Sequence, residues 1–290
     1  MTHASTQLHG SCLCGAVSYQ VGGPFNMMVH CHCSMCRKHH GSAFATFVGA
    51  PLLSFKWLSG VDQIESFASS EKGRRNFCRH CGSVTPTLLP EMDLALVPAG
   101  NLDGDSGLRP QAHVFVGSKA PWYTITDDLP QHEEFPPELG VGGITRPVVE
   151  PREGVLFGSC LCNSNTFEIT GQPIRSANCH CSRCRRGRSA AHASNMFYKL
   201  DDFRFTRQDA PIVDYRVPEA RFFGVAFCTK CGSAMPRVSK ERGAVVVPFG
   251  SLDTDPGFKP AMHIFVGNKA CWFEITDSTP QHQAGPPGLG

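Results

Sequence analysis

An internal repeat constrains the fold of this chain more than any other feature. Residues 10–14 (GSCLC) recur as residues 158–162, and residues 113–132 recur as residues 263–282. The first pair is offset by 148 positions and the second by 150. Order, spacing and flanking residues agree, so we interpret the chain as two tandem copies of one domain.

The repeat also sets the domain boundaries. We predict a first domain over residues 1–135, a linker over 136–153 and a second domain over 154–290. The linker is rich in proline and glycine, a composition that does not form a packed core. Each copy is long enough to bury a core of its own.

Composition excludes several classes of protein. Hydrophobic residues make up 41% of the chain and charged residues 18%, which is typical of a folded globular protein. The formal net charge of +2 gives no bulk attraction to nucleic acid or to membranes. The first ten residues, MTHASTQLHG, contain no apolar segment of the kind found in signal peptides. We therefore expect a cytoplasmic protein with neither a membrane nor a nucleic acid as its partner.

Short β-type segments dominate each copy. In the first copy they cover residues 17–21, 43–48, 64–68, 94–98, 113–116 and 122–125. Clusters of Gly, Pro, Asn, Asp and Ser separate them, a pattern that predicts an antiparallel all-β domain. We also expect a short turn of helix around residues 33–40.

Fifteen cysteines are a high count for a chain without an export signal. Seven fall in each copy at matching positions, and the odd one, Cys271, aligns with Pro121. An odd count and a reducing compartment both argue against disulfides and favour metal binding. We interpret Cys271 as an ordinary small apolar residue and not as a metal ligand.

Four cysteines of each copy have the spacing of a closed zinc site. Cys78 and Cys81, followed by Gly82, form a zinc knuckle whose two thiolates reach one metal. Cys12 and Cys14 are the natural complement, because a structural zinc site has four ligands. The equivalent residues of the second copy are Cys160, Cys162, Cys228 and Cys231.

The other three cysteines of the first copy are Cys31, Cys33 and Cys36. Three protein ligands with one open position are typical of catalytic zinc. The alternative is that a histidine closes this site, and His32, which recurs as His180, is the nearby histidine present in both copies. The matching cysteines of the second copy are Cys179, Cys181 and Cys184. We therefore predict two Zn²⁺ ions in each domain, about four per chain.

These motifs together resemble the glutathione-dependent formaldehyde-activating enzyme family, which includes centromere protein V. The resemblance covers nearly the whole chain, once per copy, through GSCxCG, CHCSxCRK, FCxxCGS and HxFV followed by tryptophan. It implies a β-tent fold with a four-cysteine structural zinc and a three-cysteine catalytic zinc in each domain. It also implies a small thiol such as glutathione and an aldehyde as partners.

The resemblance leads to our functional prediction. We expect a zinc-dependent enzyme of the carbon–sulfur lyase type that acts on a thiol–aldehyde adduct resembling S-hydroxymethylglutathione. The alternative is a non-catalytic, zinc-stabilised module that binds a protein or a nucleic acid. No side chain outside the cysteine motif stands out as a general base, so the metal is expected to be the main activating group.

The two copies differ beside the three-cysteine site. Residues 41–44 (GSAF) are replaced by residues 189–192 (SAAH), and Lys38 is replaced by Arg186. Gly15, beside the closed site, becomes Asn163, which tolerates the same turn. We expect the copies to fold alike and either to bind different substrates or to include only one active site. One hypothesis is that an arginine cluster near the second site binds a carboxylate: Arg183, Arg185, Arg186 and Arg188.

Overall fold

The chain folds into short strands with two short α-helices. The structure is a computed structural model that describes residues 7–71, 73–135, 150 and 152–285. The predicted linker over residues 136–153 lies almost entirely outside the described residues. The domain boundaries proposed from composition therefore remain predictions.

The first copy contains twelve strands and one helix in its described part. In chain order these are β1 (Gln7–Ser11), β2 (Ser18–Gly22), β3 (Met27–Cys31), α1 (Ser34–His40), β4 (Ala45–Pro51), β5 (Phe55–Ser59), β6 (Ile64–Ala68), β7 (Arg74–Cys78), β8 (Thr87–Leu89), β9 (Leu94–Pro98), β10 (Leu102–Asp103), β11 (Ala112–Val114) and β12 (Gln131–His132).

The second copy repeats most of this order. Its elements are β13 (Val155–Ser159), β14 (Asn165–Thr170), β15 (Arg175–Cys179), α2 (Ser182–Arg188), β16 (Ala193–Lys199), β17 (Phe203–Gln208), β18 (Ile212–Arg216), β19 (Gly224–Cys228), β20 (Ala234–Met235), β21 (Arg237–Ser239), β22 (Ala244–Pro248) and β23 (His263–Ile264).

Each copy has two main sheets and a smaller strand pair or triplet. In the first copy the strand orders are β10-β1-β2-β5, β12-β11-β3-β4-β9-β8 and β6-β7. In the second they are β13-β14-β17, β21-β22-β16-β15-β23 and β18-β19-β20. Neighbouring strands are antiparallel, apart from β11 with β3 and β12, and β23 with β15. The prediction of a duplicated all-β fold is confirmed.

Alternating apolar side chains explain why the central strands form where they do. In Leu94–Pro98 the side chains of Ala95 and Val97 are fully buried, and those of Leu94 and Leu96 are partly exposed. Ala244–Pro248, the equivalent strand, shows the same alternation. Side chains of a strand point to opposite faces in turn, so this pattern fixes which face meets the core.

The predicted strand over residues 122–125 is wrong. The backbone there forms a turn, in which the Tyr123 N–H donates to the Ala120 carbonyl at 3.1 Å. The ring of Trp122 is buried and packs against Phe249 of the second copy, with 4.8 Å between ring centroids. The apolar residues of this segment therefore serve an interface and not a sheet.

A cysteine caps the N-terminal end of each helix. The Cys33 sulfur accepts from the Cys36 N–H at the start of α1, and Gly41, with a φ of 63°, caps the other end. This helix confirms the predicted helical turn. Seven residues do not form a stable helix alone, so α1 depends on packing. No helix in the described ranges is long and apolar enough to cross a bilayer.

The two copies approach each other closely and reciprocally. Helix α1 packs on residues 249–251 of the second copy, and α2 packs on residues 99–101 of the first. A Cβ atom on Gly100 would lie 2.2 Å from the backbone nitrogen of Ala190, and one on Gly250 would lie 2.4 Å from the Arg37 carbonyl oxygen. Only glycine permits these backbone approaches.

One hydrophobic core runs through both copies. A single cluster of buried side chains includes Phe44 and Trp122 from the first copy and Phe249 and Trp272 from the second. Although each copy is long enough to bury a core of its own, the largest buried cluster is shared by both copies. Apolar residues such as Phe44 and Trp122 are shared across the interface, because each half alone would expose them to water.

Candidate metal centres

Four cysteine sulfurs of the first copy meet between β1 and the hairpin β6–β7. Cys12 follows β1, and Cys78 is the last residue of β7. The sulfurs of Cys12 and Cys14 are 3.4 Å apart, and those of Cys14 and Cys78 are 3.7 Å apart. With Cys81, all four sulfurs lie within 4.8 Å of one another. The structure thus brings together the four residues that the sequence assigned to a closed site.

The spacing of these sulfurs fits a zinc ion. Tetrahedral Zn²⁺ with Zn–S bonds of ~2.3 Å requires sulfur–sulfur separations of ~3.8 Å, whereas a disulfide requires ~2.05 Å. The observed separations match those of zinc ligands and not that of a disulfide, and all the cysteines are free thiols. The Val17 N–H also donates to the Cys12 sulfur at 3.3 Å, a contact that stabilises a thiolate.

The second copy reproduces the four-cysteine cluster. Its sulfur separations are 3.4 Å for Cys160 with Cys162 and 3.8 Å for Cys162 with Cys228. Cys231 completes the group. Asn163 replaces Gly15 and adopts a φ of 57°, so the predicted tolerance of the turn is confirmed.

The remaining three cysteines of each copy form a second cluster. Cys31 ends β3, Cys33 precedes α1, and Cys36 lies in the first turn of that helix. Their sulfurs lie within 4.8 Å of one another and are buried. The matching cluster of the second copy consists of Cys179, Cys181 and Cys184.

No fourth protein ligand joins the three-cysteine clusters in the part of the chain that the structure describes. His32, the candidate for closing the first site, instead shares a hydrogen bond with His113: its Nε2 lies 2.8 Å from Nδ1. His180 makes the same contact with His263. The geometry therefore favours an open position over closure by histidine.

These histidines belong to two buried hydrogen-bonded chains. In the first copy, Nε2 of His113 lies 2.9 Å from an Asp127 carboxylate oxygen, so the chain runs Asp127–His113–His32. In the second copy, His263 and Asp277 make the equivalent contact at 3.1 Å. From the sequence, His32 and His180 were candidates for closing the three-cysteine sites, and the two aspartates were missed. Asp127 recurs as Asp277 at the offset of 150 that also relates His113 to His263, so the repeat contained this signal.

The first copy contains a further group that sequence reasoning missed. Arg75, on β7, donates from Nη1 to the Cys36 sulfur at 3.3 Å. The equivalent residue of the second copy is Val225, which has no donor. Because Arg75 lies outside every cysteine motif and does not recur, the sequence offered no signal for it.

Electrostatics favour a thiolate in each three-cysteine cluster. Hydrogen bonds from Cys31 and Cys36 hold the pKa of the Cys33 thiol well below its usual value, and the Arg75 guanidinium lowers it further. In the second copy, hydrogen bonds from Cys179 and Cys184 lower the pKa of Cys181 to about 3. The thiolate is the form of cysteine that binds metals.

The arginine cluster of the second copy does not act as one unit. Arg183 is exposed, whereas Arg186 reaches the first copy and forms an ion pair with Asp103. Arg188 is buried and lies beside Cys184. Among the four arginines, Arg188 is the one that lines the space beside Cys184, so we retain the carboxylate-binding hypothesis for Arg188.

Cys271 joins none of the metal-ligand clusters of the described residues, as expected. It is exposed, however, so its interpretation as an ordinary apolar residue is wrong. Its sulfur lies 3.7 Å from the Gly104 carbonyl oxygen of the other copy.

Buried histidines at the interface predict a loss of stability in mild acid. Burial lowers the pKa of His192 to about 3 and that of His40 to about 4, against about 6.5 in an unfolded chain. Between these values the unfolded chain binds protons that the folded chain excludes, so stability is full above about pH 6.5 and falls as the pH is lowered. His192→Phe places at this position the phenylalanine that the first copy has as Phe44. We expect this change to reduce the slope of the unfolding free energy against pH by about 1.4 kcal/mol per pH unit.

Urea denaturation from pH 7.5 to 5, with zinc content measured at each pH, tests this expectation. Zinc content must be followed because acid also protonates thiolates and releases metal. Equal slopes for His192→Phe and the unmodified chain, at constant zinc content, would contradict a neutral buried His192.

Comparison with known proteins identifies the family. The family model described as glutathione-dependent formaldehyde-activating enzyme matches residues 7–118 and 155–268, once in each copy. A Halomonas elongata protein named "Putative glutathione-dependent formaldehyde-activating enzyme" is 31% identical over 129 residues, which cover 41% of this chain and 80% of that protein. A crystal structure of a Rhodobacter sphaeroides protein is 21% identical and covers 36% of this chain and 97% of its own, with a TM-score of 0.27. The two family matches span most of the sequence, and the chain therefore belongs to the glutathione-dependent formaldehyde-activating enzyme family, with one domain in each half.

Proposed function

We propose that this chain is a zinc-dependent enzyme of the carbon–sulfur lyase type that acts on a thiol–aldehyde adduct such as S-hydroxymethylglutathione. One observation carries the proposal. In each copy three cysteine sulfurs converge, and no other His, Cys, Asp or Glu of the described residues joins them. The four-cysteine cluster of each copy differs from the three-cysteine cluster, because it already contains the four ligands of a structural zinc site.

The two kinds of cysteine cluster would hold zinc ions with different roles. Cys12, Cys14, Cys78 and Cys81 would hold a structural zinc ion, as would Cys160, Cys162, Cys228 and Cys231. Cys31, Cys33 and Cys36, with Cys179, Cys181 and Cys184, would each hold a zinc ion that keeps one position for substrate. This assignment gives two ions per domain and four per chain.

The chemistry is the reversible addition of a thiol to an aldehyde. The sulfur electron pair forms the C–S bond, the carbonyl electron pair moves to oxygen, and that oxygen gains the proton that the thiol loses. Zinc at the open site supplies Lewis acidity, which lowers the pKa of a bound thiol. The chain's own contribution is to hold three thiolates at the junction of β3 and α1 in the first copy, and at the junction of β15 and α2 in the second.

Removing one cysteine from each of the two three-cysteine clusters, called the open clusters from here on, tests the proposal. We expect Cys36→Ser/Cys184→Ser to lose at least about 100-fold in the rate of S-hydroxymethylglutathione formation, as is typical when a catalytic metal site loses affinity or geometry. Its zinc content should fall from four to two per chain while its circular dichroism spectrum stays that of the unmodified protein.

Two results would count against the proposal. Loss of folding in the double variant would make the three-cysteine clusters structural. Full retention of the rate at two zinc ions per chain would separate the reaction from these clusters, and would favour the non-catalytic binding module instead.

A further inference from the structure

The two open clusters have different neighbours on one side. In the first copy Arg75 reaches the cluster and donates to the Cys36 sulfur. Its guanidinium is a permanent cation that balances the thiolates and lies directly against the metal ligands. In the second copy Val225 stands at this position and leaves the sulfur of Cys184 without such a donor.

A cleft opens at the corresponding side of the second copy. The space inside it amounts to about 30 Å³ and extends to Cys184, and the rest is open to solvent. Such a space holds a group of about the size of two water molecules, such as one carboxylate. The residues used below line it: Cys184, Arg188, Asn195, Phe223, Val225 and Arg237.

Arg188 gives this cleft a positive charge. Its side chain is 7% exposed, and burial lowers its pKa to about 10. The Cys184 thiolate is the charge that counteracts this effect, and no carboxylate of the described residues forms an ion pair with Arg188. Arg237, the other cation of the cleft, is already paired through Nε with Asp214 at 2.6 Å. A buried guanidinium without a carboxylate partner is suited to an anion, which it binds with paired N–H donors.

Asn195 adds a polar atom without a partner. Its Oδ1 is buried and accepts no hydrogen bond within the described part of the protein. A buried acceptor of this kind favours a ligand N–H. In the first copy the equivalents of Arg188 and Asn195 are His40 and Phe47, whose rings pack edge to face with centroids 5.6 Å apart. The same two positions are thus polar in one copy and filled by an aromatic pair in the other.

We propose that the second copy holds the substrate-binding site, in which Arg188 receives a carboxylate of the thiol substrate while the thiol reaches Cys179, Cys181 and Cys184. In the first copy the His40–Phe47 ring pair fills the equivalent polar positions, and Arg75 takes up the space beside the cysteines, so this site is not formed there. Asn195 accepts from an amide or ammonium N–H of the same molecule. This inference rests on the proposed function and specifies its substrate as a thiol that carries a carboxylate, with one binding site per chain.

Calorimetric titration of the zinc-loaded chain with two probes tests the inference without relying on activity. The probes are glutathione and glutathione diethyl ester, which keeps the thiol and amides but lacks both carboxylate charges. The unmodified chain should bind one glutathione and bind the ester more weakly. Arg188→Gln should weaken glutathione binding about 10- to 100-fold and leave ester binding within about twofold, since one charge-assisted contact is lost.

Two further variants sharpen the test. Arg183→Gln is the matched control, because it removes the same charge from an exposed position of α2 and should not change either affinity. Val225→Arg leaves Arg188 in place but installs the arginine of the first copy, and it should abolish binding of both probes. If Arg188→Gln does not fold with four zinc ions, the binding measured for Val225→Arg tests the inference instead.

The outcomes distinguish the inference from the proposed function. Binding of two glutathione molecules per chain, equal affinities for glutathione and its ester, or unchanged binding by Val225→Arg would overturn the inference alone. Failure of the unmodified chain to bind either thiol would overturn the proposed function and the inference together.

Discussion

Replacing Cys78 by serine is expected to abolish the cooperative folding of the whole chain. Cys78 ends β7, and its sulfur lies beside that of Cys14, so this residue helps to join two separate strand pairs through one cluster. Structural zinc contributes about 10–16 kcal/mol in small zinc domains, which is comparable to the whole stability of a typical protein, about 5–15 kcal/mol. Because one core spans both copies, the second half should unfold with the first.

Thermal unfolding followed by circular dichroism, together with zinc analysis, measures this effect. Cys271→Ser is the matched control, because Cys271 is an exposed thiol outside the clusters and its loss should leave the melting temperature and zinc content unchanged. A Cys78→Ser protein that melts within a few degrees of the unmodified chain would show that the four-cysteine cluster does not hold the fold together.

The metal clusters could be predicted from the sequence because their geometry is local. Two thiolates separated by one or two residues on a tight turn reach the same metal in any fold. The requirement for four ligands then pairs the short motifs: Cys12 and Cys14 supply the two ligands that a knuckle of Cys78 and Cys81 lacks. Pairing these motifs required no knowledge of the sheets between them.

The surroundings of the open clusters could not be predicted in this way. Arg75 reaches Cys36 from a strand 39 residues away, and nothing in its local sequence indicates that contact. The contrast between Arg75 and Val225 was visible in the aligned copies. Its meaning depends on the hairpin register that pairs Arg75 with Phe67, and only the folded structure supplies that register.

The interface between the copies was also beyond sequence reasoning, and it accounts for the error over residues 122–125. A buried apolar segment has the same composition whether it pairs in a sheet or anchors another domain. The interface also suggests why the first copy keeps every cysteine despite Arg75. Its three-cysteine cluster lies at the start of α1, and the second copy packs on this helix.

Replacing Lys38 by methionine is expected to lower the free energy of unfolding by about 3–5 kcal/mol, the usual cost of breaking a buried ion pair from one side. The Lys38 ammonium lies 2.6 Å from an Asp253 oxygen, and the two side chains are only 8% and 11% exposed. It also donates to the Ser159 carbonyl at 2.8 Å. Methionine fills similar space but leaves the Asp253 carboxylate and the Ser159 carbonyl without their partner in a dry interface. Urea denaturation at pH 7.5 with saturating zinc measures the difference.

The pseudo-twofold relation between the copies supplies the control. Arg186 is the equivalent of Lys38 and pairs with Asp103, but these side chains are 23% and 56% exposed. Water therefore screens this pair. Arg186 also donates to the Ser11 carbonyl at 3.2 Å, so Arg186→Met should cost about 1–2 kcal/mol, less than Lys38→Met. Equal losses in the two variants would mean that burial does not set the strength of these contacts.

If the losses differ as expected, the two ends of the interface are unequal although the repeat makes them equivalent. The Lys38 contact then fixes how the copies dock, and any opening of the interface should begin at the Arg186 end, where the ion pair is weaker.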